Sequence, residues 1–299
     1  SPSVYEYLEK RFNISIRIFG STSFILFQLA RMGIVIYLPA LALSTTIGID
    51  IYFAIIVMGA LAVLYTYMGG IEAVIWTDVI QVTVLFLGLV VGLIYIGIEI
   101  GDVKYIINSA LEDNKLQMID LRFSYTEVVT WSLFFGSFAL NFVSYTTDQS
   151  IIQRFMTTSN EREAKKSIWL NGIITIPLGL LIFGMGTFLY VYFKEYPEFL
   201  IIGMQNDSIF PLFIKDHLPP GIGGLVIAGI FSASMSSLDS SMHSISTVLT
   251  IDYYKRFYKS YSEIKGLIIA KWTTLSVGAV GTLIACLMAT YPVNSIFFF

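Results

Sequence analysis

An all-α, polytopic membrane bundle is the fold class that three features of the sequence predict. Of 299 residues, 56% are hydrophobic and only 13% are charged. The mean hydropathy is +0.74. The apolar residues also gather into seven runs of the length a bilayer-spanning helix needs, roughly 20 residues. Such a composition excludes an ordinary water-soluble domain.

The runs lie near residues 16–43, 50–68, 74–98, 127–147, 168–193, 222–250 and 267–290. The first follows an amphipathic, charged segment, Tyr5–Phe12, and is too long for a cleavable leader. The third carries Asp78 into its apolar interior, and the fourth begins at Glu127. Arg162, Lys165 and Lys166 precede the fifth as a solvated basic face. The sixth contains a dense serine run. The seventh holds Cys286, the single cysteine, so no intrachain disulfide or cysteine-rich metal site forms.

Orientation follows from the basic residues. Alternate connections hold Lys10, Arg11 and Arg17, then Arg154, Arg162, Lys165 and Lys166, then Lys255, Arg256, Lys259 and Lys265. The opposite connections hold only Lys104, Lys115, Arg122, Lys194 and Lys215. A cytoplasmic N-terminus is expected, in a plasma or bacterial inner membrane. No Pro- or Ser-rich linker, charge block or low-complexity tract divides the chain, so residues 1–299 are expected to form one transmembrane domain of about seven spans. The opening at Ser1 and the close at Phe297-Phe298-Phe299 read as those of a piece of a longer protein.

Asp78 is a site candidate on energetic grounds. An unpaired carboxylate in hydrocarbon costs on the order of 2.5 kcal/mol or more, so it is kept where it faces protein, water or an ion. The second candidate is the segment Gly229–Ser244. At 3.6 residues per turn, Ala233, Ser236, Ser237, Ser240 and Ser244 fall on one stripe, flanked by Asp239 and His243. A small hard cation stripped of water needs several oxygen ligands, and serine hydroxyls with a carbonyl supply them without a full charge that would hold the ion too tightly. Small residues also line ordinary helix contacts in membranes. Seven serines with an acid in one window, and a second acid on another helix, favour an ion-site wall.

These residues carry a family resemblance. Gly69–Gln81 (GGIEAVIWTDVIQ), Leu218–Gly229 (LPPGIGGLVIAG) with the serine stripe, and Asp252-Tyr253-Tyr254 are similar to motifs of the sodium:solute symporter family. Tyr5–Phe12 and Asp148–Arg154 resemble it as well. The resemblance implies part of a LeuT-type fold, in which two inverted five-helix repeats surround a midplane site. The seven runs then correspond to core helices 3 to 9, with the first, second and tenth lacking a counterpart. In the family the broken first helix adds backbone oxygens to the main sodium site and side chains to the substrate site.

Carried over by position, the resemblance implies one sodium at the Ala233 carbonyl and the Ser236 and Ser237 hydroxyls. It implies a second sodium, as in some members, at Asp78, Ser236, Asp239 and Ser240. Members commonly have a small or hydroxyl residue where this chain has Asp239, which leaves the coupling stoichiometry open, proton coupling included.

Arg31 bears on the solute. A guanidinium cannot shed its charge, so in mid-membrane it needs a carboxylate or a wet cavity. It either pairs with a buried acid such as Asp239, or snorkels to water, or meets a solute carboxylate through two parallel charge-assisted hydrogen bonds. The resemblance to the bacterial sialic-acid-transporting branch implies the last, with N-acetylneuraminate as the favoured solute. Gln28, one turn earlier, Asn141, and Tyr145 at the position of an aromatic inner gate are further candidates. Tyr145 also reads as an interfacial anchor.

The expected function is thus sodium-driven symport of a carboxylate or sugar acid. Other monocarboxylates, sugars or anions remain open, as do a proton-coupled carrier and, in a different class, a membrane sensor or non-transporting fragment. No Walker motif, phosphate loop or nucleophile elbow is present, so an enzyme is not expected. His217 and His243 lack metal-ligand spacing. Sodium ion, the lipid bilayer and a small solute are the expected partners, with no nucleic acid and no obligate protein partner.

Overall fold

A computed structural model of the chain describes residues 3–117, 119–124, 126–200, 209–258 and 261–290. Among them every regular element is helical. The short amphipathic α1 (Tyr5–Arg11) leads into α2 (Ile14–Ile47), capped by the Asn13 side chain accepting from the Ile16 N–H at 3.0 Å. Gly48 ends α2 with a left-handed φ of 76°, which a residue without Cβ adopts at no cost. Asp50 then caps α3 (Ile51–Ile100), which closes on Gly101 at φ 86°. After α4 (Val103–Glu112) come α5 (Thr130–Thr147) and α6 (Gln149–Met156), separated by the extended Asp148, which caps α6. Next are α7 (Glu161–Glu195), α8 (Ile209–Asp216) and α9 (Pro220–Val248). A π-helical turn, Leu249–Tyr254, continues α9 into α10 (Lys255–Phe257), and α11 (Glu263–Thr290) follows.

Among the described residues six segments are long and apolar enough to cross a membrane, against the seven runs read from the sequence. The remaining run is α5, whose 18 residues are diluted by Thr130, Ser132, Ser137, Asn141, Ser144, Thr146 and Thr147. The runs 50–68 and 74–98 are continuous in secondary structure as α3, 50 residues in all.

That helix is not straight. At about 1.5 Å per residue, the 13 residues from Tyr65 to Asp78 would span ~20 Å, beyond the joint reach of the two side chains. Yet the Tyr65 hydroxyl contacts the Met235 carbonyl at 3.2 Å and Asp239 at 3.0 Å, while Asp78 accepts from Ser236 on the same turn of α9. The chain therefore bends between these residues, where Gly69 and Gly70 interrupt the apolar sequence. The second limb runs antiparallel to α9, with Gly88 against Leu225 and Val226, Gly229 against Leu85, and Asp78 against Ser236. A Cβ at Gly229 would lie 3.2 Å from the Leu85 Cα, so the close approach of the two backbones depends on a small residue there.

Among the described residues two large apolar clusters result, with a small third one around Ile106, Ala110 and Val191. One joins α2, the first limb of α3, the C-terminal half of α9 and α11 around Met32, Ile36, Ile55, Met58, Leu238 and Met242. The other joins the second limb of α3, α7, α8 and the N-terminal half of α9 around Leu89, Ile96, Leu189, Phe213 and Val226. Helix α9 belongs to both, and its polar turn, residues 235–240, lies at their boundary.

Candidate ion and solute site

The serine stripe and both buried acids meet at that boundary. Ser236 donates its hydroxyl to Asp78 Oδ1, and Ser240 donates to the Ser236 carbonyl at 2.7 Å. Asp239, completely buried, accepts from Tyr65 at 3.0 Å and has the Ser240 hydroxyl 3.3 Å away. Two carboxylates, two serine hydroxyls and a phenol thus share one turn of α9 and the facing bend of α3. Asp78 and Asp239 are thereby held at the same turn of α9. Ala233 faces outward and Ser237 is half-buried. Among the described residues the Ser237 hydroxyl donates to no protein group, whereas Ser234, Ser241 and Ser244 back-bond to carbonyls of their own helix.

The second carboxylate oxygen of Asp78 is taken by a residue that the sequence placed only in a basic connection. Arg154 of α6 sets Nη2 at 2.6 Å from Asp78 Oδ2, and the same nitrogen donates to the Ser240 hydroxyl. Beside it, Gln153 Nε2 contacts His243 Nδ1 at 2.9 Å and Thr247 at 3.0 Å, which docks α6 against the C-terminal half of α9. Asp148 starts α6 by accepting from the Ser150 N–H at 2.8 Å, which fixes where the helix begins and so where Arg154 points. Tyr65 and Arg154 escape sequence reading because one resembles any core aromatic and the other any basic residue that sets topology.

Arg31 stands apart from this cluster. It is exposed on α2 and has no hydrogen bond or ion pair among the described residues. The reading that pairs it with Asp239 is overturned, because Tyr65 and Ser240 occupy that carboxylate. Gln28, one turn away, is buried rather than cavity-facing: it accepts from Ser241 at 3.1 Å, and its Nε2 is buried without a partner among the described residues. On α5, Asn141 is exposed and donates to its own Ser137 carbonyl at 2.8 Å. Tyr145 is half-buried, stacks on Phe155 at 6.2 Å between ring centres and accepts from Asn171 at 2.6 Å. No hydrogen bond among the described residues joins Arg31 to Asn141 or Tyr145.

A second ion cluster closes the Lys- and Arg-rich end. Arg17, read from sequence as a connecting residue, is buried within α2 and pairs with the fully buried Asp252 of the π-turn at 2.5 Å. Ser3 donates to the other oxygen of Asp252 at 2.7 Å. Glu9 links Arg17 at 2.6 Å to Arg256 at 2.8 Å, and those two guanidinium groups, Arg256 first, hold its carboxyl below the usual glutamate range. Burial pushes the Tyr5 phenol up, with Asp148 and Asp252 adding to the shift, and its hydroxyl donates to the Thr147 carbonyl at 3.2 Å.

The sodium:solute symporter family model matches residues 3–298. The chain is 37% identical over 286 residues to the sodium/sialic acid symporter SiaT of Proteus mirabilis, spanning 95% of this chain and 58% of that protein. It is 36% identical over 281 residues to the sodium/sialic acid symporter NanT of Aliivibrio fischeri, spanning 93% and 56%. It thus spans little more than half the length of these relatives. It is also similar to the solved substrate-bound, outward-open state of a Na⁺-coupled sialic acid symporter with a novel Na⁺ site. The TM-score is 0.93 at 36% identity, covering 96% of this chain and 62% of that one.

Proposed function

Because the chain belongs to the sodium:solute symporter family, we propose that it forms the ion-binding core of a sodium-driven, alternating-access carrier of a sugar acid, N-acetylneuraminate in the first instance. The observation that carries this reading is the convergence of Asp78, Ser236, Asp239 and Ser240 on one turn, an all-oxygen donor set suited to a small hard cation. These four residues hold the second sodium. The Ala233 carbonyl with the Ser236 and Ser237 hydroxyls holds the main one, and the Ser237 hydroxyl is available for it.

Arg31 meets the solute carboxylate, which its exposure and its lack of a partner among the described residues support. The same reading puts Asn141 and Tyr145 along the solute path. Gln28 serves by bracing the Ser241 turn of α9 from α2. Helix α5 is the seventh span, and the N-terminus faces the cytoplasm in a plasma or bacterial inner membrane. Coupling is a differential affinity: sodium stabilises the conformation in which the solute cavity is assembled, and the solute then binds that conformation more tightly.

Proton coupling is a second reading, favoured by the presence of Asp239 next to Asp78. Uptake of labelled N-acetylneuraminate into proteoliposomes bearing the purified protein separates them. Accumulation driven by an inward sodium gradient, and lost when choline replaces sodium at constant pH, is the expected result. Accumulation that follows a proton gradient and ignores sodium would overturn the sodium reading.

A further inference from the structure

The placement of Arg154 has a role beyond docking α6. Its Nη2 lies against Asp78 Oδ2 at 2.6 Å and against the Ser240 hydroxyl, so a single cationic nitrogen bridges two oxygens of the proposed second sodium site. The remaining Asp78 oxygen is satisfied by Ser236. A positive group thus already neutralises the carboxylate, which is what a bound cation does there.

We infer that Arg154 is an internal competitor for sodium at Asp78: its guanidinium fills the second cation position when the ion is absent, and sodium enters by displacing it. Three observations carry this. Asp78 is only 14% exposed, so its charge needs a counter-ion at every stage. The Arg154 side chain is 37% exposed, so it has somewhere wet to go when displaced, whereas a fully enclosed guanidinium has none. And α6 is a separate eight-residue helix, also tied to α9 by Gln153 through His243 and Thr247, so exchange at Asp78 changes the link between this short helix and α3 while its tie to α9 remains.

The consequence is functional. Sodium binding breaks the tie between α6 and the α3 bend, and sodium release restores it, so the empty carrier does not leave a bare carboxylate between its two apolar clusters. The arginine lowers the apparent sodium affinity of the site, which helps the ion leave. This inference rests on the sodium-symport reading and specifies the residue that opposes sodium within it.

Calorimetric titration of the purified protein with sodium chloride, at ionic strength held constant with choline chloride, tests it without measuring transport. Arg154→Gln is expected to bind sodium about tenfold more tightly than the parent, which corresponds to ~1.4 kcal/mol. Arg154→Lys, which keeps a cation, is expected to stay near the parent. Adding Arg154→Gln to Asp78→Asn is expected to change nothing further, since the carboxylate competed for is gone. Should the Gln variant fail to fold, Arg154→Met removes the charge while keeping an unbranched stem. Sodium binding in the parent with no tightening in the neutral variants would overturn this inference and leave the symport reading standing. No sodium binding in the parent or any variant would overturn both.

Discussion

Arg17 and Asp252, 235 residues apart in sequence, form a buried pair in which Asp252 Oδ1 accepts from both Nε at 3.0 Å and Nη2 at 2.5 Å of the guanidinium. The pair ties the start of α2 to the π-turn that ends α9. Irregular helical turns of this kind mark positions where a side chain is aimed rather than where packing is optimal, and here the turn carries Asp252 inward. Removing the guanidinium leaves Asp252 an uncompensated buried charge, at a cost of about 3–5 kcal/mol, whereas Arg17 without Asp252 keeps Glu9 as a partner. Arg17→Ala is expected to lower the unfolding temperature sharply in detergent, and Asp252→Asn to lower it less. The double variant should lose much less than the sum of the two.

Glu9 extends that pair towards solvent, and its behaviour with pH follows from its partners. Its folded-state pKa is depressed by Arg256 and Arg17. A depressed carboxylate contributes stability that is present above the ordinary glutamate pKa of about 4.3 and lost as pH falls through the lowered folded value. Thermal stability should therefore decline with acidification across that window. Glu9→Gln should flatten the decline while leaving stability at pH 8 lower than in the parent.

Tyr65 donates to Asp239 across the α3 bend. Tyr65→Phe leaves the fully buried carboxylate with Ser240, whose hydroxyl is 3.3 Å away, as its hydrogen-bond partner among the described residues. The expected loss is about 1–3 kcal/mol of folding stability, measurable by denaturant or thermal unfolding. Unchanged stability would mean that Asp239 finds another donor.

Arg31 and Asp78 should separate solute from ion. Arg31→Ala removes a donor whose charge-assisted bonds are worth about 1.5–3 kcal/mol each, so the affinity for a carboxylated sugar should fall tenfold or more. Sodium binding to that variant should persist. Asp78→Asn should do the reverse, weakening the sodium dependence of uptake while solute recognition survives. Both are read from uptake curves taken at varied sodium and varied solute.

Much of this architecture was legible in the sequence because the bilayer restricts the options: long apolar runs must be helices, and an acid within one must be partnered. The serine stripe followed from helical periodicity, and the meeting of Asp78 with Ser236 from the resemblance. The break between the runs 50–68 and 74–98 was legible too, although secondary structure continues through Gly69. What could not be read was tertiary. Arg17 looks like a topology-setting cation until Asp252 arrives from a distant helix. Arg154 lies in a short polar helix whose aim depends on the Asp148 cap and on Gln153. The pairing of Arg31 with Asp239 failed because Tyr65, with no polar pattern around it, reaches the acid first.

The most direct test of the coupled site is the affinity for N-acetylneuraminate measured by calorimetry as sodium is raised at constant ionic strength. If ion and solute share one conformational equilibrium, the solute Kd falls as sodium rises, and solute tightens sodium binding by the same factor. Asp78→Asn should blunt that dependence. A solute Kd that is the same with and without sodium would contradict the account.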